Sequence, residues 1–231
     1  MRTPTSFSRR LAGVVLLALT CGAVRLPAVI VSYTISGVTT VNFIEAGQLS
    51  ANMPVGSTWS AVVSWDTAAP TLFSSGTQAQ YLLVSLSLTL NGTGGSWTTS
   101  AVPGGSAPSF TNNYGVRDEM QFTSGWGPAA HTNQTLYEWQ PYSINLVLGD
   151  PTQTAIPSLT PAPSSLDLAN WSTNTSHSYL KLYLNNTGNR YILGNIQSIS
   201  PIPEPQTYAL VAGAAMLGVG LWRRRRRKTA A

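Results

Sequence analysis

Residues 29–200 are predicted to form an all-β domain, antiparallel sheets packed face to face in a jelly-roll-like sandwich. Three observations lead there. Apolar residues recur at every second position, Gly- and Asn-rich clusters cut the chain into short runs, and the composition is rich in Ser, Thr, Asn and Gly but poor in charge. The clearest run is Leu82, Val84, Leu86, Leu88 and Leu90, alternating with Leu83, Ser85, Ser87, Thr89 and Asn91. A period of two puts alternate side chains on opposite faces of a strand, so the aliphatic set is expected inside and the polar set outside.

The chain starts with the three parts of an export signal over residues 1–28: basic Met1–Arg10, apolar Leu11–Val24 and small residues suited to a cleavage pocket. Cleavage after Ala23 places Cys21 and Ala23 at the small-residue positions, whereas cleavage after Ala28 brings bulky Leu26 into the pocket. The Arg9-Arg10 pair lacks the bulky apolar residues of a twin-arginine signal, and Leu19-Thr20 before Cys21 do not suit lipoprotein processing. Cys21 is the only cysteine, so an exported domain cut after it has no disulfide and rests on its core.

Two strands follow, in which Val31, Tyr33 and Ile35, then Trp59, Ala61, Val63 and Trp65, form the inward sets. Further strands are predicted over 96–102, 116–123, 136–148, 178–184 and 190–199, about eight in all. Asn91–Gly95 and Asn185–Asn189 read as hairpin loops. The Pro-rich stretch Ile156–Pro163 is too poor in N–H donors for a central strand and is expected to be a surface excursion.

Residues 201–231 close the chain with Pro203-Glu204-Pro205, an apolar run of 16 residues over 207–222, and the basic cluster Arg223, Arg224, Arg225, Arg226, Arg227 and Lys228. Such a run is short for a span of ~20 residues, but Trp222 can sit at the interface and the arginines can snorkel. Six positive charges resist translocation, which holds the end in the cytoplasm and everything before Pro203 outside. Prolines at 201, 203 and 205 keep the preceding segment extended, a shape that a protease-like enzyme can grip.

The tail "PIPEPQTYALVAGAAMLGVGLWRRRRRK" resembles the PEP-CTERM sorting signal. That resemblance implies export into the envelope of a diderm bacterium by a Sec-type signal and transient anchoring in the inner membrane through the C-terminal helix. Processing by an exosortase would follow, with Pro203, Glu204 and Pro205 as the recognition box. More loosely, "YTISG", "VVSWDTAAP", "VRDEMQF" and "PSSLDLANW" resemble the β domain that often precedes such tails, and this implies the sandwich but no activity.

The formal charge of +5 does not imply a nucleic-acid partner, because the cations sit at the ends. Between them Arg117, Lys181 and Arg190 face Glu45, Asp66, Asp118, Glu119, Glu138, Asp150 and Asp167, a balance of −4 that leaves no basic face for phosphate. Catalytic chemistry is equally thin. His131 and His177 lie in loop-like stretches outside any motif and read as exposed loop histidines, and no Gly-x-Ser-x-Gly elbow, His-Glu-x-x-His helix or phosphate loop occurs. Asp118 and Glu119 would point to opposite faces of a strand, so a paired-acid hydrolase would need Asp66 or Glu138 as the second acid. A calcium site from Asp66, Asp118 or Asp150 lacks a clustered acidic loop. No catalytic residue, metal or cofactor is predicted.

Of the six tryptophans between the two ends, Trp59 and Trp65 read as core, while Trp126 and Trp171 fall in loops and are the candidates for stacking on sugar. The expectation is a non-catalytic envelope or matrix protein that meets an exosortase and the membrane and whose domain interacts with extracellular polysaccharide or with other surface proteins. A dedicated carbohydrate-binding module is the alternative, and a secreted hydrolase the second.

Overall fold

The computed structural model describes residues 30–43, 47–102, 107–114, 117–160, 162–185 and 190–203, together with Met216. The signal peptide, Glu204, Pro205, the apolar run apart from Met216, and Arg223–Lys228 lie outside the described residues. Met216 is helical, and no described helix is long and apolar enough to cross a membrane.

The domain is mostly antiparallel β-structure. Its strands are β1 (Ile30–Phe43), β2 (Thr58–Asp66), β3 (Phe73–Ser74), β4 (Gln78–Gln80), β5 (Leu83–Gly92), β6 (Gly95–Ser100), β7 (Ala107–Tyr114), β8 (Arg117–Thr123), β9 (Ser143–Asp150), β10 (Tyr179–Tyr183), β11 (Tyr191–Gly194) and β12 (Ser198–Pro201). Among the described residues of this domain, helix is confined to α1 (Gln48–Asn52) and two single 3-10 turns. The sheet order is β3-β4-β7-β8-β9-β10-β11-β1-β2-β5-β6, with β12 on β1.

Strand β1 explains why this sheet curls into a half-barrel. One edge pairs with β2, while the other carries β12 along Tyr33–Ser36 and then β11 along Thr39–Phe43. A register shift between Thr39 and Val41, just past the change of partner, is a bulge, and such a bulge bends a strand and adds twist. The sheet therefore has a smaller limb, β12, β1, β2, β5 and β6, and a larger one that runs from β11 to β3. Gly194 lies at this corner against the Trp59 indole, where an added Cβ would overlap the ring nitrogen.

Both limbs turn aliphatic faces inward. Trp65 of β2 packs on Tyr33 of β1 at 5.7 Å between centroids and on Phe122 of β8 at 5.6 Å, the latter contact joining the two limbs. Leu86, Leu88 and Leu90 are buried as expected. Leu82 and Val84 are not: they are 48% and 47% exposed, and Leu83 is buried in their place. A bulge in β5 opposite Ser64 and Trp65 reverses the parity, because an extra residue shifts every earlier side chain to the other face.

Two further expectations need correction. Residues 136–142 are not strand: Leu136 and Trp139 close a tight loop by reciprocal backbone hydrogen bonds of 2.8 and 3.0 Å, and Tyr137 has φ 54. The Pro-rich stretch forms no strand, as expected, and Pro157, Ser158 and Thr160 are exposed, but it is more than a surface excursion: Ile156 and Ala162 within it, and Leu166 just after it, are buried in the core. Its carbonyls accept from inward-facing aromatic side chains, Trp65 Nε1 donating to Pro163 O at 2.9 Å and Tyr81 Oη to Leu159 O at 2.5 Å. Tyr33 Oη in turn accepts from Leu166 N at 2.9 Å. A donor-poor segment suits this place, because the core rings supply the N–H and O–H groups that buried backbone needs.

Two buried carboxylates begin this plug. Asp118, at the start of β8, and Asp150, at the end of β9, are cross-strand partners. Asp118 Oδ2 accepts from Ile156 N at 3.0 Å. Asp150 accepts from Thr152, Thr154 and Ala155 through both oxygens, at 2.6–3.1 Å. Burial works to raise the Asp150 pKa, but these donors outweigh it and bring it down to about 2.

Candidate functional site: an aromatic ladder on the larger limb

The outward face of the larger limb carries aromatic rings where an exposed sheet face ordinarily carries hydroxyls. Register brings them together. Phe43 of β1 pairs with Tyr191 of β11, which pairs with Tyr183 of β10. Ring centroids are 5.4 Å apart for Phe43 and Tyr191 and 6.5 Å for Tyr191 and Tyr183. Trp126, in the loop after β8, lies 5.9 Å from Tyr183 and 5.8 Å from Tyr142. Phe43 is 55% and Trp126 66% exposed, so the ladder offers ring surface to solvent from β1 to β9.

Polar groups flank the rings. Lys181, two residues before Tyr183 on the same face, places Nζ 4.6 Å from the Tyr183 centroid and 4.1 Å from that of Tyr191. Asn145, its cross-strand neighbour on β9, accepts from Gln121 Nε2 at 2.7 Å and from Thr123 Oγ1 at 3.4 Å. At the other end the ladder borders a depression of about 480 Å³ lined by Glu138, Trp139, Gln140, Tyr142 and Asn185. Its size falls within the range of roughly 300–1,000 Å³ usual for small-ligand sites.

The loop that presents Trp126 is held from beneath by His131. Expected as an exposed loop histidine, His131 is 1% exposed. Its Nδ1 donates to Gly127 O at 3.2 Å, which leaves Nε2 to accept from Ser124 Oγ at 3.0 Å. Ser124 Oγ also accepts from Ile144 N at 2.8 Å, and Gly127, with φ 95, donates its N–H to Tyr142 O at 2.8 Å. Trp126 therefore sits between two clamped residues. Burial lowers the His131 pKa, partly opposed by the Gly127 carbonyl, so the ring is neutral near pH 7. Ser124 and His131 have the spacing of a nucleophile and its base, but both are buried and neither faces a carboxylate.

The structure separates the two tryptophans singled out in the sequence. Trp126 is the most exposed ring of the ladder. Trp171 is 7% exposed and belongs to the core cluster, so its ring is not a stacking platform. Pro203 is exposed and follows at once on the last bond of the sheet edge, Ile202 N to Ser32 O at 2.8 Å. Of the acids considered, Asp118 is buried inward, Glu119 pairs with Arg117, and Glu138 accepts from Leu49 N at the start of α1. Asp66 accepts from Ala68 N in its own turn. The oxygens of Asp150 are taken by N–H and O–H donors, which disfavours a cation there, and among the described residues no group of three or more His, Cys, Asp or Glu could hold a metal.

Sequence reasoning missed Phe43, Tyr142, Lys181, Tyr183 and Tyr191. The available signal was the hairpin pair "YLKLY" and "RYILG", which places tyrosines at outward positions on both of its strands. No protein-family model matches the chain, and neither a curated protein nor a solved structure does.

Proposed function

We propose that this chain is an exported cell-envelope protein, sorted by an exosortase through a PEP-CTERM tail, whose β domain binds extracellular polysaccharide without catalysis. We read the curled sheet as a distorted jelly-roll-like sandwich, with the ladder on its outer flank. The observation that carries the binding reading is the row Phe43, Tyr191, Tyr183, Trp126 and Tyr142, spaced 5.4–6.5 Å apart. Exposed apolar area rimmed by amides marks a binding surface, and sugar rings offer C–H faces to aromatic planes and hydroxyls to Asn and Gln. The sorting reading draws support from the order of the tail and from the exposed Pro203 just past β12.

Binding is tested by retention of the full-length chain, in detergent, on immobilised polysaccharides. Trp126→Ala and Tyr183→Ala should each weaken retention about fivefold, since a stacked ring is worth on the order of 1 kcal/mol. Unchanged retention in both variants would reject the ladder as the contact. For sorting, the surface form should end near Pro203 by intact mass, and Glu204→Ala should leave the protein anchored, with hydropathy and arginines untouched. Processing of Glu204→Ala at the wild-type rate would replace the sorting signal with a permanent anchor.

A further inference from the structure

The ladder has a cation at its centre, and that charge narrows the ligand. Lys181 Nζ lies 4.6 and 4.1 Å from the Tyr183 and Tyr191 centroids, a cation–π arrangement that fixes the ammonium between the two rings. Its cross-strand neighbours, Asn145 and Leu193, carry no charge. The one carboxylate on the outward face of β8, Glu119, is already paired with Arg117, the single ion pair among the described residues. Asp118 and Asp150 are buried on the opposite, inward face. The Arg190 guanidinium, beside Tyr191 in the chain, is turned to the Trp139 ring at 5.8 Å. Glu138, in the depression beyond Tyr142 at the far end of the ladder, accepts from Leu49 N. Around Lys181 the ladder is therefore locally positive, although the region between the two ends of the chain has a balance of −4.

We propose that the ladder takes an acidic polysaccharide, one whose sugars carry a carboxylate. A uronate ring would stack on Tyr183 and Trp126 while its carboxylate pairs with Lys181 Nζ. The aromatic surface alone would serve neutral and acidic chains alike. The ammonium makes the difference, because a cation held over two rings loses little side-chain freedom when it pairs. This inference rests on the glycan-binding reading and adds the charge of the glycan to it.

The test uses the full-length chain on polygalacturonate, alginate and a glucuronan, each beside its own methyl-esterified form, at low and at 0.3 M salt. The sugars and linkages are then the same in each pair, and only the charge differs. Wild type should favour at least one acidic polymer over its ester by about two- to fivefold at low salt, the factor that an exposed ion pair supplies. Salt should remove the preference. Lys181→Gln should lower retention on the acid more than on the ester and so bring the two together, and Lys181→Arg should keep the preference. Equal retention of acid and ester by wild type, or a preference that survives Lys181→Gln, overturns the inference and leaves glycan binding standing. Retention on neither form of any polymer overturns the glycan reading itself.

Discussion

The two limbs share one strand and one core, yet their outer faces are built on opposite principles. On the smaller limb, apart from apolar residues such as Val84, the outward side chains include hydroxyls that bond to each other across the strands: Ser36 with Ser198 at 2.7 Å, Ser64 with Ser85, and Thr89 with Thr98 at 2.9 Å. On the larger limb the corresponding positions are Tyr183, Tyr191 and Phe43, whose faces have no partner of that kind. A hydroxyl row satisfied within itself offers little to a ligand beyond what water offers. A row of rings leaves apolar area in water, a cost to solubility that the proposed binding would explain.

The largest expected effect tests whether the inward and outward faces of the smaller limb are assigned correctly. Leu86→Asp should leave no folded protein, since an unpaired buried carboxylate costs several kcal/mol against a net stability of about 5–15 kcal/mol. Val84→Asp, two residues away, should change stability by less than about 0.5 kcal/mol, because the bulge turns Val84 to solvent. Urea titration of both variants checks the pair. A soluble Leu86→Asp protein, or a Val84→Asp protein that unfolds, would restore the unbroken alternation.

That pair also shows what the sequence could and could not reveal. Alternation identified the inward residues Trp59, Ala61, Val63, Trp65, Leu86, Leu88 and Leu90, because burial of one face of a strand is a local pattern. It failed at Leu82 and Val84, where a single extra residue invisible to composition reverses the pattern. Trp126 and Trp171 both follow turn-like sequence, but only packing of the 151–171 segment decides which of them is buried. The ladder was the least accessible feature, since Phe43 and Tyr191 meet only through the pairing of strands far apart in sequence. His131 was read as exposed for a similar reason: its partners, Ser124 and Gly127, form a local clamp only when β8 and β9 are paired.

A smaller effect separates the limbs by pH. The larger limb holds the plug through Asp150, whose pKa of about 2 lies below the ordinary 3.8. When pH falls below 4 the unfolded chain takes up this proton before the folded one, so stability is present above about pH 4 and is lost as pH falls toward 2. Asp150→Asn should lower stability at pH 7 and flatten the decline between pH 4 and 2, read from thermal midpoints. The hydroxyl pairs of the smaller limb do not titrate in this range and should add nothing to the slope. An equally steep decline in Asp150→Asn would place the acid sensitivity elsewhere.

The smallest expected change is the most direct comparison of the two outer faces. Thr89 and Thr98 bond only to each other at an exposed position, so replacing both with Val removes donor and acceptor together and leaves neither orphaned. Valine is isosteric and favours strands, so stability should move by less than about 0.5 kcal/mol in either direction. Retention on polysaccharide should not change, because no ring is disturbed, whereas Trp126→Ala should weaken it about fivefold with little effect on stability. The assignment of binding to the larger limb depends on that contrast. If the Thr89→Val, Thr98→Val protein loses retention while Trp126→Ala keeps it, hydroxyls and not rings make the contact, and the functional face belongs to the smaller limb.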